Sequence, residues 1–103
     1  MVEDIRAVMW FVLVRLSNMR KWGGAHSELK RVLKSLPDSC KDKKLIKKAI
    51  KNLINLGYIG IYKKTGEEHV SLNPRKVKEI NGFLDKFKEE MEKRKILFKQ
   101  NDV

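Results

Sequence analysis

Residues 43–57, KKLIKKAIKNLINLG, alternate pairs of apolar residues with lysines, and this stretch decides how the chain is interpreted. At about 100° per residue in a helix, the apolar side chains share one half of the circumference: Leu45, Ile46, Ala49, Ile50, Leu53, Ile54 and Leu56. The other half carries Lys44, Lys47, Lys48, Lys51, Asn52 and Asn55. The pattern therefore predicts an amphipathic helix with one face on a core and four like charges on the other. Gly57 is expected to end this helix.

The positive charge is concentrated in the middle of the chain. Net charge is +11 over 103 residues, and residues 20–64 hold thirteen basic and three acidic side chains. A charge that only kept the protein soluble would be spread along the sequence, so the local excess indicates a surface that binds a polyanion. Nucleic acid is the first candidate and an anionic membrane surface is the rival. The alternative is that these lysines form a solvated face that binds nothing. This alternative is weaker, because lysines on such a helix are usually interleaved with glutamates.

Size and composition favour a single domain, residues 1–103, with one modest core. The longest apolar run, residues 7–14, is far shorter than the roughly 20 residues that cross a bilayer, so we expect no membrane segment and a cytoplasmic protein. The single cysteine, Cys40, cannot form an internal disulfide and suits a reducing compartment. The sequence shows no phosphate-binding loop, nucleophile motif or metal-ligand spacing. We therefore expect no catalysis, no cofactor, no metal and no small-molecule substrate.

Two further helices are predicted before the lysine-rich one. Residues 2–20 form a helix with apolar side chains on nearly all sides. The sequence KWGG at residues 21–24 then breaks it, because paired glycines cost helix stability. A shorter helix follows over residues 27–35, with Ser27 as its N-cap, and Pro37 ends it.

A hairpin and a long helix complete the chain. Residues 58–72 alternate apolar and polar side chains on either side of a threonine-glycine turn. Asn73 and Pro74 then combine an N-cap with proline in the first helical position. The helix that they start is predicted over residues 74–98, which is longer than a compact domain of this size easily covers.

This order of elements resembles that of winged helix-turn-helix domains over about residues 5–80. The resemblance rests on a short helix, a turn, a lysine-rich helix and a hairpin that follow one another in that order. RKWGGAH at residues 20–26 and HVSLNPRK at residues 69–76 are also similar to segments of small archaeal winged-helix proteins. The resemblance implies a mainly α fold with a small β-hairpin, namely a winged helix-turn-helix with an extended C-terminal helix. It also implies binding to double-stranded DNA.

In winged-helix domains the third helix enters the major groove and the hairpin lies against a neighbouring phosphate backbone. Carried over by position, this implies a set of DNA-contacting side chains: Lys41, Lys43, Lys44, Lys47, Lys48, Lys51 and Asn52 on or beside the third helix, and Lys63 and Lys64 on the hairpin. Ser27 is a further candidate, because the free N–H groups at a helix start can hold a phosphate, although a plain N-cap is the simpler role. Lysine acts as a point charge more than as a bidentate reader of bases. We therefore expect phosphate-dominated binding with modest sequence preference.

The first and last predicted helices present more apolar surface than one core covers, and this favours a homodimer. Pairing these helices between two chains would cover both surfaces. The candidate dimerisation residues are Val8, Phe11, Val12, Leu84, Phe87 and Met91. The alternative is that the last helix folds back over the first within one chain.

The leading hypothesis is a homodimeric DNA-binding protein, either a transcription regulator or a chromosome-associated factor. An RNA-binding module is one alternative, because a lysine surface does not distinguish A-form from B-form backbones. A protein-interaction domain is another, and an enzyme is the least favoured class.

Overall fold

A computed structural model of the protein describes the backbone of residues 5–101 and the side chains of residues 5–93. The elements are helix α1 (Ile5–Asn18), strand β1 (Ser27–Glu28), helix α2 (Leu29–Lys34), a 3₁₀ turn (Asp38–Cys40), helix α3 (Lys43–Asn55), strands β2 (Ile59–Lys64) and β3 (Glu67–Leu72), a second 3₁₀ turn (Pro74–Lys76) and helix α4 (Val77–Asn101). This is a winged-helix-like arrangement with a small antiparallel sheet and a long C-terminal helix, so the predicted fold class is confirmed. The predicted start of the first helix, at residues 2–4, lies outside the described residues.

Helix α1 is the centre of the core. Its buried side chains pack with Leu53 of α3, Leu72 of β3 and Ile80 of α4, all without exposed surface. Val8 and Val12 belong to this core and are fully buried within their own chain. The prediction that these two valines contact a partner chain is therefore wrong, because the faces of α1 that they occupy are already covered.

Both ends of α3 lie where the sequence predicts them. At the N-terminus, the side chain of Asp42 accepts a hydrogen bond from the backbone N–H of Lys44 at 2.9 Å, which is an N-cap. At the C-terminus, Gly57 has a φ of +76°, and the N–H groups of Gly57 and Tyr58 donate to carbonyls of the last helical turn. This is a Schellman cap, which favours glycine because a side chain strains that backbone conformation.

The start of the second helix differs from the prediction. Ser27 and Glu28 form strand β1, which pairs antiparallel with Val70 and His69 of β3. Helix α2 begins only at Leu29, and Glu28 stands at its N-cap without a side-chain capping bond. The predicted N-cap role of Ser27 is wrong, because its backbone joins the sheet and its side chain is only 7% exposed. A two-residue strand has no periodicity from which the sequence could reveal it.

The predicted hairpin is confirmed, and it belongs to a three-stranded sheet in the order β1-β3-β2. Thr65 and Gly66 have φ values of 51° and 81°. Two consecutive left-handed residues are the geometry of a two-residue hairpin loop whose twist matches that of the strands. The hairpin formed by β2 and β3 is called the wing below.

Helix α4 packs on α1 within the same chain. The indole N–H of Trp10 donates to the carbonyl of Leu84 at 3.2 Å, and the Trp10 ring lies 5.9 Å from the ring of Phe87. Arg6 forms an ion pair with Glu90. These contacts extend from the middle of α1 to its start, so α4 covers part of the apolar surface that we had assigned to a partner chain. No helix within residues 5–101 is both long and apolar enough to cross a membrane.

Candidate nucleic-acid interface

Four lysines of α3, Lys44, Lys47, Lys48 and Lys51, form an exposed surface that we call the lysine face. The helix itself is fixed from the opposite side, where Ala49 and Leu53 are fully buried. Within residues 5–93, no carboxylate lies within the 4.0 Å limit for an ion pair with any of these four ammonium groups. The lysine face is therefore a rigidly mounted positive surface without neutralising partners.

The residues that flank the lysine face differ in charge and in ion pairing. Lys43 and Asn52 are exposed at the two ends of α3. Lys41, just before the helix, lies 3.7 Å from Asp38 in an ion pair. An exposed pair of this kind contributes little to stability, so Lys41 can exchange Asp38 for another anion at small cost.

The wing is less basic than the sequence suggests. Lys63 and Lys64 lie directly opposite Glu68 and Glu67 in the antiparallel register. Side chains that face each other across neighbouring strands are close enough to interact, so the two glutamates offset the two lysines. Glu67 also accepts a hydrogen bond from Lys30 of α2 at 3.3 Å. Counting charge along the chain missed this pairing, because the acids follow the turn and the lysines precede it.

Two histidines meet at the base of the wing. The Nδ1 atoms of His26, which precedes β1, and His69, on β3, are 2.9 Å apart. One ring must donate and the other accept, so the contact requires one protonated and one free nitrogen. The side chain of His69 is half-buried against His26. Within the described part of the chain, no group of three or more His, Cys, Asp or Glu side chains is arranged to hold a metal.

Several neighbours disfavour a charged imidazole at His26. Partial burial lowers the pKa of His26 below its ordinary value of 6.5, and His69, Lys64 and Lys21 lower it further by charge repulsion. The ring of Tyr62 completes the surroundings at 5.9 Å. The His26 imidazole is therefore neutral at physiological pH, and it shares a hydrogen bond with the ring of His69.

The thermal stability of the protein should fall as the pH drops below about 6.5. The unfolded chain binds a proton at His26 more readily than the folded chain, so acidification favours unfolding between the unfolded and the lowered folded pKa. Melting temperatures from pH 8 to pH 5 would measure this loss. His26→Gln removes the titrating group and should flatten the profile between pH 7 and pH 5. A variant with an unchanged profile would contradict this assignment.

A shallow apolar cleft runs along one flank of the lysine face. It has a volume of about 390 Å³ and is lined by Ile50, Ile54 and the lysines Lys47, Lys48 and Lys51. The apolar pattern of α3 predicts a core position for Ile54, but this residue is 44% exposed. The apolar half of α3 is wider than the surface that the core covers, which leaves this edge in solvent. We call it the isoleucine cleft.

Two solved structures have the same fold over most of their length. A DNA-binding protein from Sulfolobus solfataricus, Sso10a-2, matches with a TM-score of 0.65 and 12% sequence identity, over 97% of this chain and 90% of that chain. The circadian clock associated protein Pex from Anabaena matches with a TM-score of 0.57 and 15% identity, over 88% of this chain and 82% of that chain. No protein-family model and no curated protein matches the sequence. At sequence identities of 12% and 15%, the similarity to these two structures shows a shared fold and nothing more.

Proposed function

We propose that this protein binds double-stranded DNA, with the lysine face of α3 in the major groove. The observation that carries the proposal is the set of four exposed lysines without carboxylate partners on a helix whose opposite side is locked into the core. The fold shared with a DNA-binding protein supports it. Lys43 and Lys41 extend the same charged surface at the start of α3, and Asn52 extends it at the end.

The contacts are expected to go mainly to phosphates. Lysine ammonium groups are strongly hydrated point charges that bind phosphate oxygens in many orientations. We expect the wing to contribute less to DNA affinity than the hairpin of a winged-helix domain usually does, because Glu67 and Glu68 lie opposite Lys64 and Lys63. Such a protein acts by occupying DNA, as a transcription regulator or chromosome-associated factor, and not by catalysis.

The dependence of DNA affinity on salt tests this proposal. If five or six lysines replace counterions at phosphates, the logarithm of the association constant should fall with the logarithm of the salt concentration at a slope of about −5. Fluorescence anisotropy with a labelled duplex measures the slope, and a folded RNA of equal length serves as competitor. A slope near zero would refute nucleic-acid binding, and preferential displacement by the RNA would favour the RNA-binding alternative.

We also propose that two copies associate through a groove between α1 and α4. The groove has a volume of about 430 Å³ and is lined by Ala7, Trp10, Phe11, Phe87, Lys88, Met91 and Glu92. Two of the predicted dimerisation residues, Phe11 and Met91, are half-buried side chains of this groove, whereas Phe87 also lines it but is only 5% exposed. Leu84 is half-buried beside the core of its own chain, so we expect a smaller contribution from it.

Sedimentation at micromolar concentration should give about twice the chain mass of 12.1 kDa. Met91→Glu places a charge in the groove and should shift the protein toward the monomer, because an unpaired charge is costly in an apolar contact. Asn81→Glu adds the same charge at an exposed position of α4 outside the groove and should leave the mass unchanged. A wild-type mass near that of a single chain would refute the dimer.

A further inference from the structure

We propose that the isoleucine cleft reads the C5-methyl groups of thymine in the major groove, so that the protein prefers A·T-rich duplexes. This inference rests on the proposed function and adds to it a source of sequence preference. The lysine face supplies charge without base discrimination, and the cleft beside it supplies an apolar contact that discriminates.

The cleft is apolar in a place where a DNA-binding surface is expected to be polar. Ile50 and Ile54 are one helical turn apart, and the lysine side chains on either side contribute their aliphatic stems. Ile54 is 44% exposed, whereas its neighbour Leu53 is fully buried in the core. Contact between water and the exposed isoleucine surface is unfavourable. An apolar group of a ligand that the neighbouring lysines bind could cover this surface, and its removal from water would stabilise the complex.

The charge around the cleft limits what can occupy it. Three ammonium groups belong to residues that line it, so the occupant must present an apolar group within an anionic framework. In the major groove that group is the methyl of thymine, which distinguishes T from C at the same edge of the base pair. An anionic membrane is a poorer occupant, because an interfacial helix buries its whole apolar face in lipid, and here Ala49 and Leu53 on that face are fully buried in the core.

Replacing thymine by uracil tests the inference, since it removes the methyl groups and keeps every hydrogen-bonding atom. Two duplexes of the same A·T-rich sequence, one with thymine and one with uracil, are compared at one salt concentration. We expect the wild-type protein to bind the uracil duplex about four-fold more weakly for each methyl group lost from the cleft. Ile54→Ala should bring the ratio of the two affinities close to one. The matched control is Leu56→Ala, which truncates a similarly exposed side chain (47%) outside the cleft and should keep the wild-type ratio.

A second comparison separates the methyl group from changes in DNA shape. In a G·C duplex, 5-methylcytosine should raise the affinity of the wild-type protein and leave that of Ile54→Ala unchanged. Equal affinities of the wild-type protein for the thymine and uracil duplexes would overturn the inference, while a steep salt dependence with both would leave DNA binding standing. An unchanged ratio of the two affinities in Ile54→Ala would also overturn it. So would a protein that does not discriminate between the duplexes but binds anionic vesicles or acidic peptides in a manner that depends on Ile54. If neither duplex binds, the proposed function and this inference fail together.

Discussion

Replacing the four lysines of the lysine face by glutamine is expected to weaken duplex DNA binding by about three orders of magnitude at about 0.1 M salt. Each lysine that contacts a phosphate releases counterions, and four such contacts account for a change of about 3.6 in the salt slope. The slope should therefore become much shallower as the affinity falls. Anisotropy titrations over a range of salt concentrations measure both quantities.

The matched control carries the same loss of charge on other helices, outside the proposed dimer groove. Arg15 of α1 and Lys78, Lys86 and Lys93 of α4 are exposed and do not line that groove, and their replacement by glutamine lowers the net charge by the same four units. This control should retain most of the salt slope. Equal losses in the two quadruple variants would show that the overall charge of the protein governs binding, and the assignment of α3 to the groove would be wrong.

Folding stability should change in the opposite direction in the α3 variant. Lysines spaced three or four positions apart on a helix repel each other, and the lysine face contains four such pairs. Each pair costs a few tenths of a kcal/mol, so glutamine at these positions should stabilise the fold by about 1 kcal/mol. A variant that melts at a higher temperature but no longer binds DNA cannot owe its defect to unfolding. A lower melting temperature would contradict the absence of stabilising partners around these lysines.

Truncation of Leu53 to alanine is expected to destabilise the protein by about 3 kcal/mol, the largest stability effect among these changes. Leu53 is fully buried and joins α3 to the core around α1. Its loss removes apolar burial and leaves a cavity that the surrounding side chains fill only partly. Chemical denaturation gives the difference as a shift in midpoint, and for a domain of this size it is a large part of the total stability.

The adjacent residue provides the control for this experiment. Ile54→Ala removes an apolar side chain of the same size from the same helix, at a position that is 44% exposed. It should lower the free energy of unfolding by only about 1 kcal/mol, because nearly half of this residue's surface is already in solvent in the wild-type protein. Similar losses at Leu53 and Ile54 would mean that α3 is seated differently on the core, and the exposed surface proposed for DNA would then be misplaced.

Much of the architecture follows from local signals in the sequence. The C-terminal end of α3 was predicted from Gly57, and the hairpin from its alternation and its turn. In each case the deciding interactions connect residues within a few positions of one another, as in the bond from the N–H of Tyr58 to the carbonyl of Leu53. The lysine face was visible for the same reason, because helical periodicity alone places its four members together.

The sequence by itself determined the helix that carries the charge and the elements that surround it. Tertiary structure alone decided which side chains meet: His26 with His69, Ser27 with Val70, and the acids of the wing with its lysines. It also decided how wide a strip of α3 the core covers, and so buried Leu53 while leaving Ile54 in solvent. These outcomes depend on contacts between segments far apart in the chain, whose approach no local pattern of residues encodes.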